Sequence, residues 1–205
     1  MKVYKDTIQT IIHTQYNDPL LSHLTEKIVE HLALANGKRL LDIGCGVGRV
    51  DILAAIKGFA TVGIDIEKKA ITLAKDNAKK FGLDMQCKFI TGDILKQRNL
   101  SKQTFDVIVC SEVIEHVSDP QKIIDFAYKL LKKNGLIILT TPNDPRLWSV
   151  LDEYAGHVKR FRVQEIKQLL QHFTILSLYI IGFPFMRIII QCYDTIYECA
   201  KGSLV

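Results

Sequence analysis

"LLDIGCGVGRV" runs from Leu40 to Val50, an apolar run that meets three glycines within five positions. Ordering glycine costs more backbone entropy than ordering any other residue, so such a cluster needs a local cause. Two causes serve: a tight turn, and close passage of the backbone beside a ligand or a neighbouring element. Lys38 to Ile43 reads as a short buried strand, the glycines as its turn, and Arg49 to Lys57 as a helix.

The rest of the chain repeats that alternation. Apolar runs at 60–66, 85–94, 105–112, 136–141 and 174–182 predict strands, and helical spacing at 67–82, 119–135 and 162–173 predicts the helices between them. Gly82 and Gly135 stand where helices would stop. Upstream, Leu20, Leu21, Leu24, Ile28 and Leu32 line one helix face. Strands that are apolar throughout, each followed by a helix, predict an α/β fold with a mostly parallel central sheet covered on both faces.

The chain has 205 residues, 48% hydrophobic and 24% charged, a globular composition with room for one full core. The net charge of +5 is spread in pairs such as Lys79-Lys80 beside apolar helical residues, which reads as solvated helix faces and argues against a nucleic-acid partner. Five cysteines form no CxxC, so a disulfide framework is not expected and a reducing cytoplasm suits the chain. The first ten residues, MKVYKDTIQT, lack the apolar run of a secretory signal. The most apolar stretch, Ile175–Met186, is too short to span a bilayer and contains Gly182 and Pro184.

Parallel sheets bind ligands beyond the carboxyl ends of their strands, so chemistry is sought just after each one. After the first come Gly44, Cys45, Gly46 and Gly48, in G-x-G-x-G spacing rather than the G-x-G-x-x-G of dinucleotide sites. The second ends in Asp65, 17 residues past Gly48. A carboxylate there can accept hydrogen bonds from two ribose hydroxyls, or cap the next helix. The third exits through Asp93, which can bond an exocyclic amine or simply make a turn. The fourth opens into SEVIEHV, where Glu112, Glu115 and His116 cluster at a strand end. His116 can serve as a general base, the glutamates can favour a helix N-terminus, and together they can make a first shell for a divalent cation.

Taken together, LLDIGCGVG, GIDI, TGDIL, FDVIVCSEVIEHV and LLKKNGLIILTTPN resemble, in order and spacing, the class I S-adenosylmethionine-dependent methyltransferases, and most closely the quinone-biosynthesis O-methyltransferases. The resemblance covers residues 36–182 and implies a Rossmann-like fold. It implies that Gly44, Cys45, Gly46 and Gly48 line the methionine part of S-adenosylmethionine, with Asp42 orienting the loop. It further implies that Asp65 holds the ribose, Ile66 packs on the adenine, and Asp93 and Ile94 contact its edge, with Ser111 completing the cofactor set. The reaction would leave S-adenosylhomocysteine and methylate a small-molecule acceptor, at a hydroxyl, with His116 and Glu112 as catalytic residues. The E-x-x-E-H pattern also resembles that of small-RNA 3′-terminal 2′-O-methyltransferases, whose family uses it for a metal. On that reading Glu112, Glu115, His116 and His157 would hold a divalent cation. His157 or Arg160, in GHVKRF, could instead face the acceptor, and Trp148 suits a planar or apolar one.

A single domain over 1–205 is expected, with an N-terminal helical lid (1–35), a cofactor-binding core (36–182) and a C-terminal helix (183–205). Tyr4, His13 and Tyr16 fall in the lid. The family's usual seventh strand is missing or replaced: Met186, Ile189, Ile190, Tyr193, Ile196, Tyr197 and Ala200 form one helical face instead. Arg187 and Lys201 flank it, so it can pack on the core, pair with a second copy, or lie on a membrane surface. Two other functions compete: a metal-dependent RNA 2′-O-methyltransferase, and a cofactor-binding protein without turnover.

Overall fold

The computed structural model describes residues 19–97, 99–100 and 104–181, so the readings of the lid residues and of the C-terminal helix lie outside the described residues. The chain divides into two compact units, one of residues up to Ile114 together with Gln121–Thr140, the other of Glu115–Pro120 and residues from Thr141 onward.

The first unit is built on a parallel sheet of β1 (Arg39–Ile43), β2 (Ala60–Asp65), β3 (Cys87–Thr91), β4 (Phe105–Ser111) and β5 (Leu131–Thr140). The strand order is β3-β2-β1-β4-β5, with Leu41 of β1 opposite Val62 of β2 and Ile108 of β4. The order therefore reverses beside β1, where the carboxyl ends of β1 and β4 diverge into their loops. Leu40, Leu41, Val107, Ile108, Val109 and Cys110 have no exposed surface, as strands covered on both faces require.

The helices of this unit are α1 (Pro19–His31), α2 (Arg49–Ile56), α3 (Lys68–Lys80) and α4 (Pro120–Leu130). Every residue of α2 from Arg49 to Ala55 is buried, so this is an interior helix rather than an amphipathic one. Its start is pinned by Gly48, whose φ is 78°. A Cβ there would stand 2.7 Å from the Phe89 ring and 3.1 Å from Cβ of Ala74. Gly48→Ala combines a left-handed backbone with overpacking and should cost about 2–4 kcal/mol, read as a lowered urea midpoint at unchanged slope.

Two expectations need correction. The helix read over 119–135 stops at Leu130, and the KKNG that follows belongs to β5. The cause lies across the sheet. Leu131 pairs with Phe105, Lys132 Nζ reaches Asp106 Oδ1 at 2.7 Å, and Asn134 turns at φ 61° before Leu136 meets Val107. The sixth strand, read over 174–182, is also not there: Thr174–Ile181 has no regular structure, and Ile175, Leu176, Leu178, Tyr179 and Ile180 are exposed. An apolar, β-branched run favours extended backbone, but a strand exists only through a partner ladder, and the described residues offer it none.

The second unit carries α5 (Val150–Ala155) and α6 (Val163–Leu169), with Asn143 bridged to Phe161.

Candidate functional site

Two groups of residues stand out, one in each unit. In the first unit, Gly44, Gly46 and Gly48 all have positive φ. What a side chain would meet differs. At Gly44 it would run into Val113, and at Gly48 into Phe89, so these two are glycines for packing. At Gly46 it would meet nothing within 4 Å. Gly46 thus presents bare backbone to open space at the switch in strand order, which is where such sheets take ligands.

Asp65, closing β2, is tied to that loop. Its Oδ2 accepts the Gly46 N–H at 2.9 Å and its Oδ1 accepts the Glu67 N–H at 2.8 Å. Two of roughly four carboxylate lone-pair positions are thereby used, leaving acceptor capacity for two hydroxyls. Ile66 beside it is 78% exposed, an apolar side chain with an uncovered face. Asp93 caps the 3₁₀ turn Ile94–Lys96 by accepting the Leu95 N–H at 2.9 Å, while the Ile94 side chain is buried in the core. At the end of β4 a polar chain runs along the sheet: Ser111 Oγ lies 2.8 Å from Thr140 Oγ1, which donates to Glu112 Oε1 at 2.8 Å. Glu112 holds φ 55°, a strained conformation for a residue with a Cβ.

Beneath the glycine loop lies a feature the sequence reading passed over. Asp51 of α2 has no exposed surface, and its two oxygens have no ordinary donor among the described residues. Its neighbour is a second carboxyl, Asp42 of β1, also buried. Burial, then the Asp51 charge, raises Asp42 far above the usual carboxylate range, and burial raises Asp51 to about 7. Two buried carboxyls in contact keep a proton between them. Burial beside the same pair pushes the Cys45 thiol upward, so Cys45 is a wall of the loop and not a nucleophile.

In the second unit, a short capped helix organises the other group. Ser149 Oγ accepts the Leu151 N–H and Asp152 Oδ2 accepts the Ser149 N–H at 2.9 Å, the reciprocal capping box of α5. Gly156, at φ 74°, ends the helix, and the next residue, His157, donates its backbone N–H to the Asp152 carbonyl at 2.9 Å. The fully buried Asp152 carboxylate then takes His157 Nδ1 at 2.8 Å and Arg160 Nε at 2.7 Å. Burial works against its ionisation, but Arg160, His157 and the Ser149 N–H outweigh that and hold it below the usual carboxylate range. Arg160 bonds Asp152 through Nε and the Asn143 carbonyl through Nη1.

His116 stacks edge-on against His157, ring centroids 4.8 Å apart, with its Nδ1 at 3.2 Å from the Gly156 carbonyl. Glu115 has no exposed surface; its Oε2 accepts from Thr141 Oγ1 at 2.9 Å, and its Oε1 has no partner among the described residues. Burial raises its carboxyl to about 7 against the hydrogen bonds from its own backbone N–H and from Thr141. Glu115, His116 and His157 offer ligand atoms within 4.8 Å of one another. Of the expected four-residue set, Glu112 belongs to the other unit and is turned to Thr140. Asp152 escaped the sequence reading, although Ser149-x-x-Asp152 is a capping-box signature visible in the sequence.

A model of the methyltransferase domain family matches residues 34–179, well over half of the chain. Among curated proteins, a ubiquinone biosynthesis O-methyltransferase of Pseudomonas putida is 34% identical over 116 residues, covering 57% of this chain and 49% of that one. One of Pelagibacter ubique is 36% identical over 134 residues, covering 62% and 54%. The chain thus spans about half the length of these relatives. Among solved structures, the magnesium protoporphyrin IX methyltransferase of Synechocystis, crystallised with S-adenosylhomocysteine, superposes with a TM-score of 0.61 at 19% identity, over 82% of this chain and 83% of that one. No helix among the described residues is long and apolar enough to cross a membrane. The glycine turn read from Leu40–Val50, the parallel sheet that reverses beside it and the family match over 34–179 agree, and the chain belongs to the class I S-adenosylmethionine-dependent methyltransferase family.

Proposed function

We propose that the protein is an S-adenosylmethionine-dependent methyltransferase that methylates a hydroxyl of a small molecule, an aromatic alcohol of the quinone-precursor kind. The observation that carries this is Gly46: open space over its Cα, and its N–H held by the carboxylate of Asp65. The residues present fit the cofactor. Gly44, Cys45, Gly46 and Gly48 form the loop wall with Asp42 beneath. Asp65 keeps acceptor capacity for the ribose, Ile66 offers an apolar face to the adenine, Asp93 and Ile94 border its edge, and Ser111 extends the wall through Thr140 to Glu112.

The sulfonium of the bound cofactor supplies an activated methyl group. The protein must therefore orient the acceptor and take its proton. Groups suited to taking a proton stand together within the second unit. Among the described residues Glu115 Oε1 has no partner, and each imidazole sets its Nδ1 against an oxygen acceptor, so each of the three residues has one ligand atom to offer the cluster. Glu115, His116 and His157 would hold a divalent cation such as manganese, which would lower the pKa of a hydroxyl coordinated to it. Without a cation, His116 is the base. Glu112 acts from the β4 end by holding Thr140 and Ser111. No disulfide joins the described cysteines Cys45, Cys87 and Cys110, which suits a reducing cytoplasm.

The test is methyl transfer to a catechol probe, with and without EDTA, beside His116→Ala and His157→Ala. EDTA should abolish turnover and manganese restore it, and each variant should lower kcat by roughly 100-fold or more. Turnover indifferent to EDTA would remove the cation and leave His116 as base. Cofactor binding with no turnover on any hydroxylated probe would overturn the enzyme reading.

A further inference from the structure

We propose that Asp152 is the positioning residue of the second unit: it fixes His157 in the tautomer that carries its proton on Nδ1, and so presents Nε2 as the free acceptor toward Glu115 and His116. Helix capping alone does not account for Asp152. The capping box of α5 needs only the reciprocal pair with Ser149, which occupies Oδ2. Two further donors converge on the other oxygen, Oδ1: His157 Nδ1 at 2.8 Å and Arg160 Nε at 2.7 Å. The carboxylate has no exposed side-chain surface.

The direction of the proton follows from the partners. A carboxylate paired to a guanidinium only accepts, so the hydrogen between Asp152 and His157 sits on Nδ1. A neutral imidazole has one N–H, and its tautomer is set by the hydrogen bond that its other nitrogen makes. Nε2 is then the lone pair that remains. His116 is set in the same way, since a backbone carbonyl can only accept from its Nδ1 at 3.2 Å. The two rings lie edge to edge, each with its Nδ1 against an oxygen acceptor, so Nε2 is the lone pair each retains, and each ring offers one ligand atom to the group it forms with Glu115. Arg160 completes the arrangement by bonding Asp152 and the Asn143 carbonyl together, which ties the carboxylate to the segment bridged to Phe161. The local chain explains how this arises: Gly156 turns left-handed at the helix end, and the Asp152 carbonyl takes the His157 N–H at 2.9 Å, so the ring returns over the side chain of its own helix.

The inference deepens the cation reading but does not depend on it, because a tautomer is observable in the metal-free protein. The experiment is a two-bond ¹H–¹⁵N correlation spectrum of histidine-labelled protein at pH 8, for wild type, Asp152→Asn and Ser149→Ala, followed by calorimetric titration of each with Mn²⁺. Wild-type His157 should show the Nδ1–H pattern. Asp152→Asn should mix or invert it and weaken Mn²⁺ binding by about 10–100-fold, the usual effect of removing an outer partner of a ligating histidine. Ser149→Ala, which removes only a capping bond, should lower the unfolding midpoint and leave the His157 pattern unchanged. An Nε2–H pattern in wild type overturns the proposal, with no variant needed, even should Asp152→Asn fail to fold. So does a folded Asp152→Asn with the wild-type pattern. If the tautomers behave as stated and wild type takes up no Mn²⁺, the cation reading fails while the role of Asp152 stands.

Discussion

Asp65→Ala is expected to weaken binding of S-adenosylhomocysteine by about 100-fold or more, measured by calorimetry, while the protein stays folded. The argument starts from the two bonds the carboxylate already makes, to Gly46 and to Glu67. In the proposed complex its remaining lone pairs take two ribose hydroxyls. Hydrogen bonds to a charged acceptor contribute about 1.5–3 kcal/mol each, so losing both removes about 3 kcal/mol or more, and each 1.4 kcal/mol is tenfold in affinity. Alanine also releases the Gly46 N–H, the one loop glycine that faces open space, so the loop loses its preset shape. Asp65→Asn separates these contributions. Its carbamoyl oxygen can still accept from Glu67, but the amide cannot offer two charged acceptors, and its affinity should fall between the other two. An Asp65→Ala protein that binds within threefold of wild type would remove the ribose role from Asp65 and leave it a loop clamp.

The features legible in the sequence were those whose cause is local. The glycine turn is a backbone requirement, and Gly44, Gly46 and Gly48 do take positive φ. Strand and helix identities from β1 to β4 follow from continuous apolar runs and a helical period. Glu115 and His116 could be marked because they are polar at a strand end, and the structure sets them beside His157. What failed depended on partners distant in sequence. The early end of α4 comes from Lys132 meeting Asp106 on another strand, and the missing strand at Thr174–Ile181 from the lack of a ladder among the described residues. Asp51 escaped because an acid in a first helical turn is ordinarily favoured by the dipole, and only the interior position of α2 makes it a buried charge. Asp152 escaped because the sequence signature it carries speaks only of capping, while its bonds to His157 and Arg160 need the fold of Gly156–Arg160 over its own helix.

Asp51→Asn should stabilise the protein at alkaline pH and leave it little changed in mild acid. Asp51 faces Asp42 of β1, with Thr61 of β2 beside it and the buried thiols of Cys45 and Cys87 nearby; Asp65 adds its charge on the Asp42 side. None of the neighbours that shift it is a cation. A carboxyl that titrates near 7 when folded, against 3.8 ordinarily, binds its proton more tightly in the native state. Stability attached to it is therefore present in acid and is lost as pH rises from about 4 through 7, because there the unfolded chain has already released the proton. A shift of that size corresponds to about 4 kcal/mol at most, since 1.36 kcal/mol accompanies each tenfold change. Asparagine keeps the shape, carries no charge, and offers Asp42 a donor, so the penalty disappears and Asp42 can ionise against the amide. Urea unfolding of both proteins at pH 5 and pH 8.5 reads the effect as a difference of differences, in which all other titrating groups cancel. The variant should gain about 2–4 kcal/mol on wild type between the two conditions. Parallel pH dependences would mean that Asp42 and Asp51 hold no shared proton, and that a donor outside the described residues satisfies the pair.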